Sequence, residues 1–109
     1  MLESTKIIEK VDIEKLFETI KKFPKENIEC TRHTFFRLSE KQRKIFTCGE
    51  LREIILNKKP FLAGIQHNGN HALFYKHQNK NLKIVVDINN RKVKIVTFYF
   101  IQEWQIPKI

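Results

Sequence analysis

Cysteine is scarce in this chain: Cys30 and Cys48 are the only two, too few for a disulfide framework, and no Cys-x-x-Cys pair offers a metal site. They read as two reduced, small buried hydrophobes. Long apolar runs are also missing, none approaching the roughly 20 residues that cross a bilayer. The start, Met1-Leu2-Glu3-Ser4-Thr5-Lys6, lacks the apolar stretch and small-residue cleavage site of a signal peptide. A cytoplasmic protein with no membrane role is expected. The four histidines, His33, His67, His71 and His77, match no zinc-ligand spacing, and acidic partners near them are few, so neither a metal nor another cofactor is expected. Without repeats, low-complexity tracts or linkers, residues 1–109 read as a single domain. Within it, 1–29 form an N-terminal helix and connection, 30–101 the core and 102–109 a tail.

What is present is apolar and basic. A hydrophobic fraction of 41% with nine Phe excludes wholesale disorder. At this length a single core buries roughly two thirds of the unfolded surface. Residues 1–29 carry net −1, whereas 30–109 carry net +10, so the whole basic excess follows the first helix. A small domain of that charge suits a polyanion, either nucleic acid or an acidic protein. Arg32, Lys41, Arg43, Lys44, Lys83, Arg91 and Lys94 are the candidate phosphate contacts. An excess of Lys over Arg, sixteen to five, also fits a proteome of biased or heat-adapted composition.

Along the chain, Ile13, Leu16, Phe17 and Ile20 repeat at helical spacing, and Pro24 stops the pattern, which predicts a helix from about residue 12 or from Ser4. Lys25 to Glu29 reads as connection. Thr31 is a plausible N-cap for a second helix carrying His33. Thr47-Cys48-Gly49-Glu50 is a capping box, predicting a third helix over about 48–57 that buries Leu51, Ile54 and Ile55. After Pro60 the period changes. Residues 61–66, 71–77, 82–88 and 93–101 read as strands between turn clusters at 67–70, 78–81 and 89–91. Connections this short predict an antiparallel meander of four strands. The last strand shows apolar residues on both faces, with Thr97 and Tyr99 as polar tips alongside Val93, Ile95 and Ile101.

The segment Thr31-Arg32-His33-Thr34-Phe35-Phe36-Arg37 carries the chemistry. At about 100° per residue, His33 and Arg37 lie roughly 40° apart on a helix, opposite Phe35, Leu38 and Ile45. An imidazole that titrates near neutral pH beside a permanent cation suits phosphodiester chemistry, and suits solvated surface equally well.

Helices followed by a four-stranded meander, a His33-x-x-x-Arg37 pair and a closing Ile-Val-Thr-Phe-Tyr strand resemble the RelE/ParE-like toxin superfamily. The likeness spans residues 30–101. It implies an α+β fold with two to three N-terminal helices packed on a four-stranded antiparallel sheet. It further implies a metal-independent endoribonuclease whose RNA lies across the sheet, and an acidic antitoxin as a second partner. His33 and Arg37 would match the family's helix pair, and Thr97 and Tyr99 the end of its closing strand. Arg43 is the candidate for a further arginine.

Cleavage of RNA by its own 2′-hydroxyl needs a base, cations to neutralise the phosphorane and an acid for the leaving 5′-oxygen. His33 supplies one proton transfer and Arg37 the charge. Tyr99 or a second histidine supplies the other transfer, and Thr97 a hydrogen bond to phosphate. A tyrosine is a poor base unless cationic neighbours lower its pKa, so the second proton carrier is the weakest element. The alternative is a non-catalytic basic module binding nucleic acid, RNA or DNA, or an acidic protein. Oligomeric state is left open.

Overall fold

Asp12 begins the first helix by accepting the backbone N–H of Lys15 at 3.1 Å, and α1 (Ile13–Lys21) then buries Leu16 and Ile20. The capping box at Thr47 forms as its residue types predict. Glu50 N donates to Thr47 Oγ1 at 3.1 Å and Thr47 N to Glu50 Oε1 at 2.8 Å. Helix α3 (Cys48–Asn57) follows and buries Leu51, Ile54 and Ile55. These are features of a computed structural model that describes residues 6–32, 34–35 and 40–108, with only the backbone of Gln42 and Arg43.

The sheet has six strands, not four. In chain order they are β1 (Ile7–Lys10), β2 (Ile28–Cys30), β3 (Leu62–Gln66), β4 (His71–His77), β5 (Lys80–Ile88) and β6 (Val93–Ile101), arranged β1-β3-β4-β5-β6-β2. It is mixed, because β2 runs parallel to β6 while the other pairs are antiparallel. This overturns the expected four-stranded antiparallel meander under two to three helices. The two added strands are the edges. At four and three residues they are too short to show an alternation, and their neighbours in sequence read as helix and connection. Between them α1 carries the chain from one edge of the sheet to the other.

Helical structure is also reduced. The second helix expected from Thr31 is absent among the described residues: Arg32, Thr34 and Phe35 lie in turns, and α2 is a single turn, Glu40–Arg43. Thr34 explains part of this. Its side chain is buried and donates to the carbonyl of Ile95 in β6, while Thr31 N donates back to Thr34 Oγ1 at 2.8 Å. A threonine that caps its own neighbour and a strand carbonyl competes with helix formation. Ile45, expected on the buried side, is exposed.

The cysteines are also corrected. Cys30 closes β2 and Cys48 opens α3, and the two are joined in a disulfide with Cα atoms 6.0 Å apart. The expectation of two reduced cysteines fails because the pairing depends on β2, which the sequence pattern does not reveal. The bond closes the stretch 31–47 into a loop.

Two apolar clusters lie on opposite sides of the sheet. The larger joins Leu16, Ile20, Leu51 and Ile55 of the helices to Leu73, Tyr75, Ile84, Val86, Ile95 and Phe98. The smaller, Leu62, Ala72, Phe74 and Ile101, lies away from α1 and α3, and among the described residues Ile7, Tyr99 and Ile106 pack against it.

Candidate nucleic-acid interface

The open face owes its chemistry to an irregularity in β6. Val85 pairs with Thr97 and Val86 with Ile95, which leaves Val96 without a partner. Such a bulge adds one residue to a strand and shifts its alternation. Before it Val93 and Ile95 are buried on the helix side; after it Phe98 takes that side and Thr97, Tyr99 and Ile101 turn to the other. The apolar residues on both faces of the last strand are thus explained. Thr97 and Tyr99 are not polar tips within the row of Val93 and Ile95, as alternation predicts, but stand on the open face.

Register then fixes their neighbours. Phe74, Lys83 and Tyr99 form one row across β4, β5 and β6, and Ala72, Val85 and Thr97 the next. Lys83 Nζ lies 5.3 Å from the centroid of the Tyr99 ring and 5.8 Å from that of Phe74, close enough for cation–π attraction to both. Lys94 shares the face, but its row neighbours are Asp87 and Glu29, so its charge is partly offset.

The C-terminal tail, outside the family resemblance, borders this face. Glu103 accepts from Asn81 Nδ2 at 2.8 Å and from Lys76 Nζ at 3.4 Å. The hydrogen bond from Asn81 and the charge of Lys76 hold the Glu103 carboxyl below its ordinary range. Ile106 packs on the Phe74 cluster. Trp104 between them is 81% exposed. Sequence reasoning gave no role to Trp104 or Lys76, and the only signal for them was an unassigned tryptophan near the end of a basic chain.

The predicted residues do not all meet. His33 and Arg37 lie outside the described residues, as does the side chain of Arg43. Lys83, Lys94, Thr97 and Tyr99 share the open face. Lys41 instead lines a groove of about 720 Å³ between α3 and the β4–β5 hairpin, with Phe46, Glu50, Lys58, His77 and Phe100. Lys44 is exposed and 3.6 Å from Glu40, Arg32 is exposed in the turn after β2, and Arg91 is exposed in the β5–β6 turn. The six cations with described side chains therefore form no single stripe.

Burial governs three further titratable groups. Tyr75, on the helix side of β4, has a buried hydroxyl with no hydrogen-bond partner among the described residues, and burial raises its pKa well above the usual phenol range. Burial lowers the pKa of His71, against the pull of Asp87. His77 is lowered by burial and by Lys58, with Glu50 opposing. Among the described residues no group of three or more His, Cys, Asp or Glu is placed to hold a metal ion. Nor is any helix there long and apolar enough to cross a membrane.

Compared with known protein families, with curated protein sequences and with solved structures, the chain matches none.

Proposed function

We propose that this protein is a toxin-like, metal-independent endoribonuclease that lays RNA over the open face of its sheet and cleaves it by attack of the 2′-hydroxyl. The observation that carries this reading is the bulge at Val96, which turns Thr97 and Tyr99 onto the face opposite α1 and α3, in the same row system as Lys83. Bulges recur where a strand must re-aim a side chain beside a functional site. Beside the motif, Thr34 is fastened to the carbonyl of Ile95 and Phe35 packs on Phe98, so the segment is anchored to β6 from its helix side. In this reading His33 moves a proton, Arg37 and Lys83 neutralise the phosphorane, Thr97 holds a phosphate oxygen and Tyr99 is the candidate for the second transfer.

An acidic antitoxin remains part of the proposal, resting on the net charge of +9. RNA as substrate keeps the site of action in the cytoplasm, where a bond between Cys30 and Cys48 forms only under oxidising conditions. A second reading, binding without cleavage, is favoured by the placement of Lys83 over the rings of Tyr99 and Phe74, a cationic and aromatic surface of the kind that holds single-stranded nucleic acid.

Incubation with mixed-sequence RNA in EDTA, beside a His33→Ala, Arg37→Ala double variant, separates the readings. Cleavage by the parent alone, leaving 2′,3′-cyclic phosphate ends, is expected. No cleavage by either protein, or equal cleavage by both, removes the nuclease. Salt-sensitive binding without cleavage leaves the binding module in its place.

A further inference from the structure

Beside Tyr99 the open face holds a slot of about 380 Å³, lined by Lys6, Phe74, Lys83, Tyr99, Trp104 and Gln105 among others. We propose that this slot takes one unpaired base of single-stranded RNA, stacked on the indole of Trp104, with Lys6 and Lys83 meeting the phosphates on either side. The inference deepens the proposed function and rests on it for the choice of RNA.

Three features carry it. The first is the exposure of Trp104: a tryptophan offers the largest apolar surface of any side chain, and here 81% of the residue faces solvent. Stacking with a base removes that surface from water without requiring a particular base, since every base has a π-face. The second is that the indole is mounted rather than trailing. Glu103 before it is bound to Asn81 and Lys76, Gln102 N donates to Gln105 Oε1 at 2.7 Å around it, and Ile106 after it packs on the cluster of Leu62, Ala72, Phe74 and Ile101. A platform fixed in advance loses less entropy when it binds. The third is charge: the slot's two ammonium groups have no carboxylate among its described lining residues, so this lining favours an anionic ligand with an aromatic body.

Trp104 is the only tryptophan in the chain, so its fluorescence reports on the slot alone. The probe is a short 2′-O-methyl oligouridine, which lacks the attacking hydroxyl and survives whatever nuclease activity the protein has. Titrated into the full chain, it is expected to quench the tryptophan saturably, while the same oligomer in duplex with its complement quenches little. By polarisation of a labelled oligomer, Trp104→Ala is expected to weaken binding roughly tenfold and Trp104→Phe only about twofold, the range that one stacked base supplies. Polarisation that reports binding while the tryptophan stays unquenched overturns the slot and leaves the interface standing. Equal quenching by the duplex also overturns it. Absence of any binding by either readout removes the interface and the slot together. Unchanged thermal unfolding of Trp104→Ala shows that a lost affinity is not a lost fold.

Discussion

The chain has two tyrosines, and the two faces of its sheet treat them oppositely. Tyr75 points under α1 and α3 into the main core, where its hydroxyl is sealed and burial holds the proton on. Tyr99 stands on the other face, half-exposed beneath the ammonium of Lys83. Both are strand residues with β-branched or aromatic neighbours, and neither sequence context announces the difference. What separates them is which side of the sheet the helices cover and, for Tyr99, one unpaired residue in β6. The covered face holds the fold together. The open one carries lysines, a hydroxyl pair and a mounted indole around the smaller apolar cluster.

If that division is right, truncations on the two faces have opposite signatures. Phe98→Ala removes a fully buried ring that packs edge-on against Phe35 and Phe46, and is expected to cost about 3–5 kcal/mol in urea unfolding. Tyr99→Ala, one residue along, is expected to cost less than about 1.5 kcal/mol, because its ring is only half-buried. Equal losses would mean that the open face is structural after all.

Next in size is the disulfide, which belongs to the helix side. Replacing Cys30 and Cys48 together by Ser frees the 31–47 loop and is expected to lower stability by about 2–4 kcal/mol, measured against the parent with and without reductant. A parent whose unfolding ignores reductant, and whose thiols alkylate freely, would show that the pair is reduced in solution.

A smaller effect probes the hairpin that carries both faces. Gln78 and Asn79 form the two-residue β4–β5 turn with φ of 50° and 65°, and glutamine has no preference for that region. Gln78→Gly is therefore expected to raise stability by about 0.5–1 kcal/mol in the same unfolding measurement.

The smallest is a slope with pH. His71 and His77 have pKa values below the usual histidine range in the folded chain, so as pH falls past about 6.5 the unfolded chain takes up protons first. Stability should then fall with pH and level off once the folded histidines also charge. Denaturation midpoints between neutral and mildly acidic pH, compared with those of a His71→Gln, His77→Gln variant that lacks the slope, check the sign.

Where local pattern decides, the sequence was legible. Leu82, Ile84, Val86 and Ile88 alternate cleanly, Asn-rich turns flank the strands, and Thr47 with Glu50 marks the start of α3; each lies where its residues predict. Elements decided by distant partners were not. Ile7–Lys10 and Ile28–Cys30 become strands only because β3 and β6 present unpaired edges to them. Thr34 leaves its helical pattern for a carbonyl 61 residues away, and Cys30 finds Cys48 only once β2 exists. Of the candidate site, Lys83, Thr97 and Tyr99 were visible as residue types. Their shared face was not, because a one-residue bulge leaves no mark in composition or period. Trp104 was invisible as a site residue, since its mounting depends on Glu103 reaching Asn81.

The claim that RNA lies on the open face is tested most directly by lysine acetylation footprinting, with and without the uncleavable oligouridine. Protection of Lys83 and Lys6, with Lys15, Lys21 and Lys22 of the helix side labelled as before, is the predicted result. Unchanged labelling of Lys83 while the helix-side lysines become protected would place the nucleic acid on the wrong face and contradict the account.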